Sequence, residues 1–150
     1  MCTIAILEIL AKGCYNKETM LDRSELKKIA QARIKDGEIL LNSHRYDGSI
    51  YLCGYAVEIA LKERICRTLG WSGYPSTRRE FANYQSFRTH NLDVLLSLSG
   101  SEQKIKTNFL AEWSVVAEWD PEIRYKPIGS ANKQEAELMI ESSRKLLGVL

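Results

Sequence analysis

Proline is scarce in this chain of 150 residues, with three, and histidine scarcer still, with two. So few prolines argue against a loop-rich β fold and leave room for long uninterrupted helices. The four cysteines, Cys2, Cys14, Cys53 and Cys66, include no Cys-x-x-Cys pair and no Cys/His cluster at ligand spacing, which argues against structural zinc. On one continuous helix Cys53 and Cys66 would stand about 20 Å apart, beyond disulfide reach, so the thiols read as reduced and mostly buried, as in a cytoplasm. The leading run MCTIAILEILAKG is too short for a bilayer and lacks the basic start and small-residue cleavage site of a signal peptide. It reads as a helix packing on the domain or on a partner. A formal net charge of +2 is too small to mark a nucleic-acid binder by itself, so any basic surface must be local. No stretch alternates with a period of two, and neither an internal repeat nor a low-complexity segment interrupts the chain.

What the sequence does contain is the stretch of residues 44–69, which from about Asp47 reads as a helix apolar nearly all round. Ile50, Cys53, Val57 and Ala60 line one side of it, and Leu52, Ala56, Ile59 and Cys66 a second. The third carries Tyr51, Tyr55, Glu58, Lys62, Ile65 and Leu69, so two phenols and an opposite-charge pair share one stripe. Such a helix is expected at the centre of an α-helical domain, with Glu58 and Lys62 paired in the favourable i,i+4 order.

The other elements follow from their caps and periods. Asp22 and Glu25 are spaced for a capping box, and a helix from there to Asn42 carries the stripe Leu26, Ile29, Ala30, Arg33, Gly37, Leu40 and Leu41. Gly37 costs helix propensity, which points to close approach of the central helix. The link at residues 43–47 makes the two helices an antiparallel hairpin. Periodicity fails over residues 70–89, where five aromatics interleave with Arg78, Arg79 and Arg88. This is a lid over the core, or a surface that stacks bases and meets phosphate. A short helix starts near Asn91. A longer one, entered through Ser99 and Glu102, runs to Trp119 with Ile105, Phe109, Trp113, Val116 and Ala117 inward. Asp120-Pro121 ends it, residues 122–129 form an extended link, and Ser130 caps a last helix whose inner positions are Ala136, Met139, Ile140, Ser143 and Leu147. The expected fold is all-α: an antiparallel up-and-down bundle of about five helices over residues 22–150, preceded by a helical extension over residues 1–21.

Several short patterns then coincide. Arg45-Tyr46, Tyr51, Tyr55, Glu58 and Leu61-Lys62 resemble the signature of HEPN domains, in which "RY", a tyrosine-rich helical turn and "E-x-x-LK" follow one another. Thr89-His90-Asn91-Leu92 resembles the family's "TH-D-L" entry to the third helix, with Asn91 for the usual aspartate. Trp119-Asp120-Pro121-Glu122-Ile123-Arg124-Tyr125 resembles its "R-Y" ending after the fourth. The resemblance covers most of residues 26–150.

It implies a helical bundle, often a homodimer, from prokaryotic defence or toxin–antitoxin systems. One branch of that family consists of metal-independent RNases with an arginine followed four to six residues later by a histidine. The other lacks the motif and is associated with binding nucleotide or RNA, or a minimal nucleotidyltransferase partner. Here Arg124 is followed by no histidine, which places the chain with the non-catalytic branch. No metal or cofactor is expected. The ligand-binding candidates are Arg45, Tyr51, Tyr55, Glu58, Lys62 and Arg124, with cations holding phosphate and a phenol stacking on a base. His90 reads as a helix-entry residue bonded to backbone. In the alternative, a divergent RNase, it is the catalytic candidate, working with Glu58 or Arg124. In a third reading the domain is a structural dimerisation module whose charges form internal salt bridges, with Trp113 and Trp119 as core or interface aromatics.

Overall fold

The computed structural model describes residues 20–150. The helix expected at the start of the chain, with Cys2 and Cys14, lies outside the described residues. Among those described, six α-helices pack round one apolar core: α1 (Arg23–Asn42), α2 (Tyr46–Leu69), α3 (Leu92–Leu98), α4 (Glu102–Asn108), α5 (Leu110–Val116) and α6 (Lys133–Val149). The fold is an all-α bundle. Two residues on either side of α1 and α2 depart from helix, as β1 (Leu21–Asp22) pairs antiparallel with β2 (Gly73–Tyr74). Leu21, read as part of a helical extension, is therefore extended backbone.

α1 and α2 form the hairpin. Arg23 at the start of α1 meets Glu63 near the end of α2 at 3.8 Å, while Gly37 sits against Ser49 and Cys53 near its beginning. A Cβ on Gly37 would stand 2.6 Å from Cys53 Sγ, and Ser49 Oγ donates to the Gly37 carbonyl at 2.8 Å, so the close approach expected of this glycine is present. α2 is the buried centre, with Cys53, Ala56, Val57, Leu61, Ile65 and Cys66 fully covered, and α6 closes the bundle against α1, α2 and α5.

Burial fixes the chemistry of the two inner thiols. It pushes Cys53 up to about 12 and Cys66 up to about 11, with the Glu38 and Glu63 charges adding in the same direction. Iodoacetamide at pH 8 is therefore expected to leave both unmodified in the native protein and to modify both in urea, as read by peptide mass mapping. Rapid native modification of Cys53 would contradict this packing. The unfolded thiols ionise from about pH 9, where the folded ones still hold their protons. Their contribution to stability is thus complete below pH 9 and is lost as pH rises towards 12.

Local details correct the sequence reading in six places. Asp22 caps α1 through Ser24 N and Glu25 N, but Glu25 turns to Lys28 at 2.7 Å and does not reach back. The helix expected to run to Trp119 breaks at Phe109 (φ −135°, ψ 30°), giving α4 and α5, and Ser99 spends its hydroxyl on Leu96 O and Ser101 N in place of a capping box. The start of the expected extended link, residues 122–125, belongs instead to a 3-10 turn, Pro121–Tyr125, entered through Asp120. The cap of α6 is Asn132, in a capping box with Glu135, and not Ser130, which hydrogen-bonds to Pro127. Leu146, not Leu147, is the fully buried residue of its last turn.

Candidate functional site

The segment after α2 is a packed strap. Gly70 leaves the helix in the left-handed conformation (φ 68°) that a glycine adopts at least cost. Trp71 packs against Tyr84 and Phe87 with ring centroids 5.1 Å away in both cases, Tyr74 is buried against Phe81, and the Tyr74 hydroxyl donates to Phe87 O at 2.7 Å. The lid reading of these aromatics holds, while Arg78, Arg79 and Arg88 remain on the exposed side without an ion pair among the described residues.

Beneath the strap lies the ionic centre of α2. The Glu58 side chain is 2 % exposed, and its Oε1 accepts from Lys62 Nζ at 2.5 Å and from His90 Nδ1 at 2.9 Å. Lys62, 16 % exposed, also lies over the Tyr74 ring, 5.4 Å from its centroid. Lys62 is thus engaged inside the protein. A carboxylate only accepts, so Nδ1 carries the His90 proton, and with its side chain 64 % exposed the imidazole opens to solvent. His90 bonds a buried carboxylate where the sequence reading expected backbone, and Asn91 is the residue that caps α3, through Val94 N at 3.0 Å. Oε2 of Glu58 is buried without a hydrogen-bond partner.

One turn and a half back along the same stripe, Tyr55 and Tyr51 lie stacked, with centroids 6.5 Å apart and planes 13° apart, and Tyr51 leans on Trp119 at 6.0 Å. Trp119 itself is locked: its indole N–H donates to Tyr51 O at 3.1 Å, and its ring occupies the space that a Cβ on Gly54 would need. The 3-10 turn brings Arg124 to this stack. The Tyr51 and Tyr125 hydroxyls hold its guanidinium charged, it lies 4.9 Å from the Tyr125 ring, and it stays 44 % exposed. At the other end, burial pushes the Tyr55 phenol up, the Glu58 and Tyr51 charges add to this, and the Arg33 guanidinium opposes it.

The stripe predicted from spacing is therefore continuous: Arg124, Tyr51, Tyr55, Glu58 and Lys62, with His90 joining at Glu58. Arg45 is exposed just ahead of the first turn of α2, about 9 Å along the axis from Tyr51 and about 20 Å from Glu58. Arg33 of α1 is a charge that the sequence reading did not connect with this stripe, and it acts on the Tyr55 phenol. Its signal was an arginine in the otherwise apolar stripe of α1, and its buried Nε has no partner while its Nη2 meets Asp36 at 3.1 Å. Three cavities between elements, of about 370, 470 and 180 Å³, are lined by other residues than these. Chemically the strip offers two stacked phenols beside a part-exposed guanidinium, and an imidazole oriented by a buried carboxylate.

Among the described residues no cluster of His, Cys, Asp and Glu could hold a metal, and no helix is long and apolar enough to cross a membrane. Comparison with models of known protein families, with curated proteins and with solved structures finds no match in any of the three.

Proposed function

We propose that this chain is a HEPN-type protein without catalytic activity, which binds a nucleotide or RNA group on the strip formed by Tyr51, Tyr55 and Arg124. In this reading it acts as a homodimer beside a partner such as a minimal nucleotidyltransferase, in a cytoplasmic defence or toxin–antitoxin setting. The observation that carries it is the Tyr51–Tyr55 stack with the part-exposed Arg124 guanidinium held beside Tyr51. Aromatic faces give sequence-tolerant stacking with bases, worth about 1–3 kcal/mol each, and arginine matches phosphate in two-point geometry. Lys62 is held by the buried Glu58 and supports the strip from below; Arg124, whose exposed contact with Glu122 is long at 3.7 Å, is the cation that meets phosphate.

The test is fluorescence anisotropy with labelled single-stranded RNA, and calorimetry with nucleoside triphosphates, at low and high salt. Binding is expected to weaken about tenfold or more in Arg124→Ala and in Tyr55→Ala, and to fall with salt. Absence of binding by the wild-type chain, or an unchanged affinity in Arg124→Ala, rejects the reading. Copurification from the native host tests the nucleotidyltransferase.

One observation favours a second reading, a divergent RNase. The contact of His90 with the buried Glu58 orients an imidazole as a general acid or base, the group that in-line cleavage by a 2′-hydroxyl needs near neutral pH. Structured RNA that is cleaved by the wild-type chain and spared by His90→Ala would select this reading. No cleavage, or cleavage indifferent to the substitution, removes it.

A further inference from the structure

We infer that the turn at residues 126–131 and the groove beside it form a contact between two copies of this chain, a surface that gives the homodimer of the preceding reading its location. The groove, of about 370 Å³, runs between the start of α2, α5, the 3-10 turn and α6. Its apolar lining includes Ile50, Val115, Trp119, Leu138 and Met139, and Leu138 is left 51 % exposed.

At its edge stands Ile128, 96 % exposed and not itself part of the lining, although Lys126 and Ser130 on either side of it are. The turn that presents it is fastened. Asp47 accepts from Gly129 N at 2.6 Å and from Ala131 N at 2.8 Å, and the Ser130 hydroxyl closes on Pro127 O. A turn tied down at this many points holds an isoleucine in water at a fixed place, so the ordering cost of a docking knob is already met before any encounter.

The charges name the occupant. Glu118 and Lys126 line the same groove, yet neither side chain has an ion pair or hydrogen bond among the described residues. Related by a two-fold axis, Lys126 of each copy meets Glu118 of the other while each Ile128 enters the other's groove. Knob, hole and both charges are adjacent on one face, as a self-complementary isologous contact requires.

Sedimentation velocity on the full chain tests this. The wild type is expected to form a dimer, and Ile128→Asp, a change at a solvent-exposed position whose fold is checked by circular dichroism, to raise the dissociation constant about 30-fold or more. Glu118→Lys and Lys126→Glu should each weaken the dimer, and the two together should restore it. A wild type that stays monomeric overturns both this contact and the homodimer. A dimer indifferent to Ile128→Asp, or one that the paired charge reversal leaves weak, overturns the contact alone. A photo-crosslinker at position 128 in mixed heavy and light protein should join heavy to light peptides around residues 138–139. Links within one chain to residues 1–19, or to a foreign protein, overturn the inference. Loss of RNA binding in Arg124→Ala is read separately and bears only on the strip.

Discussion

Glu58→Ala is expected to lower the unfolding free energy by about 3–5 kcal/mol, as much as truncating a large core side chain. Removing the carboxylate leaves the Lys62 ammonium 16 % exposed, with only the Tyr74 ring for company, and releases His90 from α2. An uncompensated charge in such a place costs several kcal/mol, because water that would solvate it is excluded by the strap and by neighbouring helices. The size of the loss reflects the orphaned cation more than the worth of the pair. Glu58→Leu combined with Lys62→Met should therefore recover most of it, and a urea double-mutant cycle measures the difference. A single-site loss under about 1 kcal/mol would show that the pair is hydrated, and would take the buried anchor away from His90 as well.

Gly54→Ala is the second large effect, a loss of about 2–3 kcal/mol. The added Cβ would stand 2.2 Å from Trp119 Cδ1 and Cγ, a separation that atoms do not adopt, and the indole is held on its other edge by Tyr51 O. Overpacking of about 3 kcal/mol and a weakened indole hydrogen bond outweigh the gain of about 1 kcal/mol in helix propensity. The matched control is Gly148→Ala on α6, where a Cβ meets nothing within 4 Å and only the propensity gain remains. Thermal melts followed by tryptophan fluorescence should place the two variants on opposite sides of the wild type. A Gly54→Ala protein as stable as the parent would mean that Trp119 has another position available, and with it the Tyr51 face of the strip.

Much of the fold was legible along the chain because helices announce themselves locally. The ends of α1 and α2, the Asn91 cap and the use of Gly37 follow from residues three, four or seven apart, whose geometry a helix fixes regardless of its neighbours. The departures come where two local signals compete. Ser99 can cap or bond back to Leu96, and Asn132 with Glu135 makes a better box than Ser130 can make; which option wins depends on where the surrounding turns lie. The break at Phe109 carries no proline or glycine to announce it.

The candidate strip divides the same way. Tyr51, Tyr55, Glu58 and Lys62 lie on one helix, so their spacing alone set them on one stripe. Arg33, His90 and Arg124 arrive from three other segments, and no spacing in the sequence measures the distance between segments. By itself, then, the chain determined an all-helical bundle and a polar stripe on its central helix, since both depend on interactions within a few residues. Only the tertiary packing decided that His90 would share the Glu58 carboxylate with Lys62, that Trp119 would lock against Gly54 and Tyr51, and that Ile128 would stand in water beside an apolar groove. Those outcomes belong to the way separate helices fill space against one another, which is settled by the whole core together.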